Sequence, residues 1–178
     1  MIEFEVSKVS VSDAVLLQII GKQTFYEAFK DDNSEEDLNQ YLNESFSFQK
    51  ITEELKNVNS EFYFAKSNDQ VIGYLKINFG KSQTELSEKN GLEIERIYLL
   101  KQFYGKNVGQ KLLYKALEIA LKNQHDFVWL GVWGKNTRAI HFYTKNGFVA
   151  FDKHIFQLGN DKQTDIMMKL MLKQLNLR

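Results

Sequence analysis

The chain has 178 residues, 23 basic against 23 acidic side chains, 43% hydrophobic and 13% aromatic content, and neither cysteine nor proline. That size and apolar content fit one globular domain, residues 1–178, with a substantial core, and exclude a disordered chain. The absence of cysteine excludes disulfides, thiolate metal sites and a cysteine nucleophile, and the balanced charge argues against general nucleic-acid binding.

The first ten residues, MIEFEVSKVS, carry neither the basic nor the long apolar stretch of a leader. The longest apolar runs, such as 97–100 and 127–132, are far too short to span a bilayer. A cytoplasmic protein without membrane association is the expectation. Alternation over 2–9 predicts a strand. Ser12 is placed as the N-cap of a helix over 13–29. Asn33 and Ser34, followed by Glu36 and Asp37, open a second helix to about residue 44, and Ser47 opens a third over 48–57. Strands over 61–67 and 70–79 flank Asn68-Asp69, a hairpin signal. Residues 80–90 are polar and read as a loop, and 92–100 as a strand.

A helix over 105–123 would bury Val108, Leu112, Leu113, Ala116, Ile119 and Ala120 at helical spacing. A strand over 126–133 follows. Asn136 caps a helix to residue 145, and Asn146-Gly147 supplies its stop. Two strands over 148–158 and 164–172 close the chain as a hairpin. The order βααα-βββ-α-β-α-ββ implies one mixed sheet with helices on both faces.

The junction between the fourth strand and the fourth helix is the most informative stretch. The glycine-containing turn Tyr104-Gly105-Lys106-Asn107-Val108-Gly109 opens a long helix, and free N–H groups at a helix start suit a phosphate. Two carboxylates, Glu93 and Glu95, lie on the strand before it and share one face by period-2 alternation. A phosphate cradle beside a candidate base points to group transfer from a phosphate-bearing cofactor. Charge is also unevenly distributed: 27–61 carries ten acidic and three basic residues, and 101–145 eight basic and two acidic. This asymmetry suits a cationic acceptor near the first segment and an anionic cofactor on the second. The three histidines, His125, His141 and His154, show no metal spacing, and no metal is expected. Trp129 and Trp133 share a strand face and read as packing residues, with Trp133 near enough to the strand end to line a cleft.

Two windows carry a family resemblance. One is the turn above. The other is Asn136, Ala139, Phe142, Tyr143, Gly147 and Phe148 in the pattern Asn-x-x-Ala-x-x-Phe-Tyr-x-x-x-Gly-Phe. Together with the element order, they resemble the GNAT superfamily of N-acetyltransferases over nearly the whole chain. That likeness implies an α/β (α+β) fold with a mostly antiparallel seven-stranded sheet. Thr24 to Phe29, Asn33, Glu36-Asp37, Tyr41-Leu42 and Glu95 to Leu99 look like the Pai-type polyamine acetyltransferases. The turn departs from the family pattern in having Tyr104 for Arg or Gln and Asn107 for the first Gly of the pair. Asn tolerates the left-handed backbone that such a position requires. Lys106 or Lys101 could offset the lost arginine.

The resemblance implies direct acetyl transfer from acetyl-CoA to a primary amine, most simply a polyamine such as spermidine or spermine. Such an amine has a pKa of about 10.4 and needs a base; Glu95 is nominated, directly or through water, with Glu93 the second candidate. Tyr143 stands where the family holds its general acid. Ile97, Tyr98 and Leu99 would pair with pantetheine as a pseudo-strand. Backbone groups of Tyr104, Gly105, Lys106, Asn107, Val108, Gly109 and Gln110 would hold phosphate. Asn136 would meet the pantetheine arm and Lys145 a phosphate. Phe25, Tyr26, Phe29 and Tyr41 are the acceptor-site expectation, holding a polyammonium chain by cation–π contact. Acetylation of a protein N-terminus, a peptide or a small amine metabolite is an alternative, as is a non-catalytic acyl-CoA-binding module. A homodimer is implied by family likeness only.

Overall fold

The computed structural model describes residues 3–86, 89–159 and 161–173. Seven strands form a single sheet: β1 (Glu5–Lys8), β2 (Ser60–Ser67), β3 (Gln70–Phe79), β4 (Gly91–Leu99), β5 (Phe127–Trp133), β6 (Val149–Leu158) and β7 (Asp161–Met171). Their spatial order is β1-β2-β3-β4-β5-β7-β6, and every neighbouring pair is antiparallel except β4 and β5. The helices are α1 (Ala14–Phe29), α2 (Glu35–Ser45), α3 (Phe48–Lys56), α4 (Val108–Lys122) and α5 (Thr137–Lys145). Among the described residues, no helix is long and apolar enough to cross a membrane.

Local chemistry accounts for most boundaries. Ser34 Oγ accepts from Asp37 N–H at 3.1 Å to open α2, and Ser47 Oγ accepts from Lys50 N–H at 3.3 Å to open α3. Asn68 and Asp69 both take positive φ, 48° and 63°, as a tight hairpin turn demands. Ser12 does not cap α1. Ser10 does the work one turn earlier: its N–H and Oγ both donate to Asp13 Oδ2, at 2.9 and 2.7 Å, around a 3-10 turn over Val11–Asp13. The α4 helix begins at Val108 rather than at residue 105, because Gly105 and Asn107 hold φ of +74° and +63° and interrupt the helical backbone. Strand β7 begins at Asp161, three residues earlier than the sequence pattern placed it, because its pairing with β6 extends to Leu158 opposite Asp161. Residue 2, included in the expected first strand, lies outside the described residues.

Two hydrophobic layers hold the sheet. On one face α4 buries the six residues its spacing predicted, against Leu75, Ile77, Leu92, Ile94, Val128 and Leu130. On the other, α1, α2 and α3 bury Leu17, Phe25, Leu38, Phe46 and Ile51 against Phe62, Phe64 and Tyr74. Side chains of this size each gain roughly 1.5–3 kcal/mol from burial, so the two layers are the main source of stability.

Two irregularities in β4 shape what lies between the layers. Lys76 of β3 pairs with Arg96, yet the next residue, Ile77, pairs with Ile94, so Glu95 is an extra residue in a β-bulge. Strands β4 and β5 pair only from Gly91 opposite Phe127 to Glu93 opposite Trp129, and then part.

Candidate active site

The parting of β4 and β5 opens a cavity of about 370 Å³. Glu93 to Tyr98 form one wall, Gly131 to Trp133 the next, and His154 to Gln157 with Gln163 and Asp165 the far side. The facing edges of β4 and β5 have no ladder partner beyond Glu93 and Trp129, so backbone N–H and C=O groups are open to the gap. From α5, Asn136, Ala139 and Tyr143 reach the cavity, at the spacing of one helix face.

Glu93 and Glu95 do share a face. Asn78 Nδ2 donates to Glu93 Oε2 at 3.0 Å and to Glu95 Oε2 at 2.6 Å. Their surroundings differ sharply. Glu95 bonds Lys76 Nζ at 2.6 Å and Arg96 Nη2 at 3.1 Å, and both cations also face Glu54, at 2.9 and 3.5 Å. Although burial opposes its charge, the Arg96 guanidinium and the Lys76 ammonium hold the Glu95 carboxyl down at about 2. Glu93 accepts from Thr84 N–H at 2.9 Å and Thr84 Oγ at 2.6 Å, and has no cation partner among the described residues. Burial pushes its carboxyl above the usual range, with the Glu95 charge adding to the rise and the Thr84 and Asn78 bonds opposing it. The bulge places both carboxylates beside the same gap in opposite protonation tendencies.

Tyr143 is 8% exposed and packs edge-on against Phe142 and Phe148. Its hydroxyl has no hydrogen-bond partner among the described residues, and burial alone raises its pKa, so it remains a proton donor throughout the neutral range. Asn136 Oδ1 accepts from Ala139 N–H at 3.0 Å, so the side chain is the cap of α5 while also facing the cavity.

Ile97 and Tyr98 line the cavity, whereas the Leu99 side chain is buried against Gly73 in the core, leaving only its backbone for any ligand. The turn from Tyr104 to Gly109 lies outside the cavity walls, between β4 and α4. Gly105 has no atom within 4 Å of where a side chain would be, and Asn107 adopts the left-handed conformation expected of it. Lys111 N–H is taken by the Asn107 carbonyl at 3.2 Å, so Val108, Gly109 and Gln110 are the N–H groups a helix start leaves without an intrahelical acceptor. The Gln110 side chain is committed elsewhere: it exchanges two hydrogen bonds with Asn146, at 2.6 and 3.2 Å. Lys145, next to Asn146, is exposed. Arg138 was missed by sequence reasoning. Its guanidinium stacks on the Tyr104 ring at 3.8 Å, bringing a cation to the turn position where the family pattern has arginine.

The acceptor expectation needs correction. Phe29 and Tyr41 line the cavity, but Phe25 is 2% exposed and sits in the core among Phe29, Tyr41, Phe46 and Tyr98. Tyr26 points away, with its hydroxyl donating to Glu35 at 2.6 Å. Helical geometry turns Tyr26 about 100° away from this face, whereas Phe25, one turn from Phe29 on the same face, is covered by the rings of Tyr41, Phe46 and Tyr98. Nor does the acidic run supply the cavity's carboxylates. These are Glu85, Glu93, Glu95 and Asp165, while Glu54 reaches only the Lys76 and Arg96 pair behind the wall. Trp133 lines the cavity beside Phe29, and Trp129 is fully buried with its Nε1–H donating to Gln83 at 2.7 Å.

Residues 22–148 match the model of the acetyltransferase (GNAT) family. The chain belongs to the GNAT acetyltransferase family. It is 38% identical over 165 residues to an uncharacterized N-acetyltransferase from Lactobacillus delbrueckii subsp. lactis, covering 93% of this chain and 95% of that one. It is 26% identical over 152 residues to the spermidine N(1)-acetyltransferase of Thermoplasma acidophilum, covering 83% of this chain and 89% of that protein. Among solved structures, PaiA N-acetyltransferase from Thermoplasma acidophilum in complex with coenzyme A superposes with a TM-score of 0.79 at 24% identity, covering 96% and 99% of the two chains. A GCN5-related N-acetyltransferase from Rhodopseudomonas palustris gives a TM-score of 0.75 at 16% identity over 94% of both. These structural likenesses are of fold: the mixed sheet with its single parallel junction is the GNAT sheet. As a GNAT member, the chain is an acetyl-CoA-dependent N-acetyltransferase.

Proposed function

We propose that this enzyme acetylates a primary amine of a cationic, polyamine-like acceptor, with Glu93 as the base side of the site and Tyr143 as the acid side. The observation that carries this reading is the β4–β5 gap: a partnerless phenol on α5 and a cation-free carboxylate on β4 face one cavity. The distant kinship with a spermidine N(1)-acetyltransferase supports the polyamine class.

Acetyl-CoA supplies the activated thioester. The open β4 edge at Ile97, Tyr98 and Leu99 suits an amide-bearing arm, which it would bind as an added strand. The free N–H groups of Val108, Gly109 and Gln110, with Gly105 leaving open space, suit phosphate oxygens, and Arg138 on Tyr104 adds the charge. Lys106 within this turn, and Lys145 next to the Asn146 that bonds Gln110, are further cations. Asn136 orients the first turn of α5 rather than donating freely.

The amine arrives as ammonium and must lose a proton. Glu93 takes it through a bridging water, since its oxygens are already held by Thr84 and Asn78. Glu95, held near 2 by two cations, is a weak base and acts as a fixed negative charge that steadies Lys76 and Arg96. The amine nitrogen forms its bond to the acetyl carbon, the carbon–sulfur bond breaks, and the departing sulfur takes the Tyr143 proton. The second proton leaves the nitrogen as the amide forms and passes through water to restore Tyr143, while the proton on Glu93 leaves to bulk water. The net reaction gives an acetamide, a free thiol and one proton.

The test is thiol release from acetyl-CoA with spermidine, spermine, simple monoamines and N-terminal peptides. Polyamines should give the highest kcat/KM. A peptide preferred over every polyamine would sink the acceptor assignment while leaving the acyl donor intact.

A further inference from the structure

One wall of the cavity is built from the β6–β7 hairpin, with His154 to Gln157, Gln163 and Asp165. His154 and Asp165 stand directly opposite each other across the two strands, and Gln163 lies two residues before Asp165 on the same face. His154 Nε2 is 3.7 Å from Asp165 Oδ2, and His154 Nδ1 is 3.9 Å from Glu85 Oε1. These groups reach the cavity because position 131 has no side chain. A Cβ there would lie 2.9 Å from His154 Cε1 and 3.6 Å from Asp165 Oδ2.

Polar satisfaction on this wall is incomplete in one particular sense. Gln163 is 5% exposed, and its amide N–H groups are used by Asn33 at 2.6 Å and Asp161 at 2.9 Å, but its Oε1 is buried with no donor among the described residues. Asp165 Oδ1 is likewise buried without a donor. Two acceptor oxygens lacking donors, two residues apart on one strand face, cost free energy unless a ligand brings N–H groups to them. An ammonium offers three. The charge agrees, since the cavity lining holds four carboxylates, Glu85, Glu93, Glu95 and Asp165, against the single guanidinium of Arg96. The same cavity is lined by the rings of Phe29, Tyr41, Trp133 and Phe156, in contact as the pairs Phe29–Trp133 and Tyr41–Phe156, a surface suited to methylenes.

We propose that Asp165, Gln163 Oε1 and Glu85, flanked by His154, form a second-cation subsite that holds the far ammonium of a di- or polyamine while its near amine is acetylated at Tyr143. The subsite rests on the amine-acetylation reading and supplies its selectivity. With β5 between them and parted from β4, β4 and β7 stand at least two strand spacings, about 10 Å, apart, so the two ammonium groups are separated by several methylenes. An α-amino acid or a simple monoamine does not reach both ends.

The experiment compares spermidine and 1,4-diaminobutane with butylamine, in the wild type, Asp165→Asn and Glu85→Gln, by thiol release and, independently of turnover, by calorimetric binding of the same amines in the presence of CoA. The wild type should prefer spermidine over butylamine at least tenfold, mainly through KM. In Asp165→Asn that preference should collapse at least tenfold, and in Glu85→Gln about threefold, because Glu85 is the more exposed. Using the ratio within each variant removes any loss of folded protein. A proportionate fall with both amines, or wild-type calorimetry with equal affinity for spermidine and butylamine, overturns the subsite. Absence of turnover with every amine, alongside selective spermidine binding that Asp165→Asn abolishes, would retain the subsite and refute the acetylation reading.

Discussion

The two carboxylates on β4 are separable by a pair of isosteric variants, Glu93→Gln and Glu95→Gln. Moving a proton from an ammonium of pKa about 10.4 to a carboxyl held near 2 is uphill by about 8 units, roughly 11 kcal/mol. For Glu93, raised above 4.5, the same transfer is uphill by less than about 6 units, roughly 8 kcal/mol. The difference of about 3 kcal/mol is more than a hundredfold in rate, which is the basis for proposing Glu93 rather than Glu95 as the base. Glu93→Gln should therefore lower kcat about a hundredfold while costing about 1–2 kcal/mol of stability for one mispaired hydrogen bond. Glu95→Gln leaves Lys76 and Arg96 with Glu54 as their remaining anion and should cost roughly 3 kcal/mol or more. Linkage gives the pH window. Glu95 ionises more readily folded than unfolded, so its contribution is fully present above about 4.5 and is lost as pH falls toward 2. At 2.5 units, that contribution is about 3 kcal/mol. Urea unfolding between pH 6 and 2.5 should show a steep fall in the wild type and a shallower one in Glu95→Gln, while initial rates at pH 6–9 report the base. A Glu95→Gln protein of wild-type stability with kcat lost, beside an active Glu93→Gln, would refute the assignment.

Tyr143→Phe should reduce kcat about a hundredfold with little change in the KM for acetyl-CoA, and should lower no stability-related signal beyond about 1 kcal/mol because the hydroxyl has no protein partner. In the wild type, the rate should not decline through Tyr143 ionisation below pH 10, since burial raises that pKa. Arg138→Ala should raise the KM for acetyl-CoA about tenfold, the worth of one charge-assisted contact, and weaken the dependence of that KM on ionic strength. Gly131→Ala drives a methyl toward His154 and should cost about 1–3 kcal/mol in thermal unfolding, with a higher KM for polyamines than for monoamines.

Most of the fold was legible because its signals are local. The caps at Ser34, Ser47 and Asn136, the Asn68-Asp69 turn and the six buried positions of α4 each follow from a few neighbouring residues. A mixed, mostly antiparallel seven-stranded sheet also followed once element order was read against the family pattern, but which strands run parallel did not. The misplacements have equally local causes. Ser10 outcompeted Ser12 because Asp13 sits three residues beyond it, and positive φ at Gly105 and Asn107 delayed α4. At the site, Glu93, Glu95 and Tyr143 were singled out in sequence, and all three line one cavity. What sequence could not supply is long-range pairing. The depressed carboxyl of Glu95 comes from Lys76 and Arg96, and Lys76 lies on another strand. The far wall depends on the β6–β7 register, which sets His154 against Asp165. Arg138 carried a usable signal, lying inside the Asn136–Ala139 motif, but its contact with Tyr104 requires the fold. Helical direction alone separates Tyr26 from Phe29, but the burial of Phe25 under Tyr41, Phe46 and Tyr98 depends on packing against other elements.

The most direct measurement is the mass of the product formed from spermidine and acetyl-CoA. The account predicts singly acetylated spermidine in one-to-one ratio with released thiol, at rates above those of any monoamine. Thiol release without an acetylated amine, or acetyl found only on peptide N-termini, would contradict it.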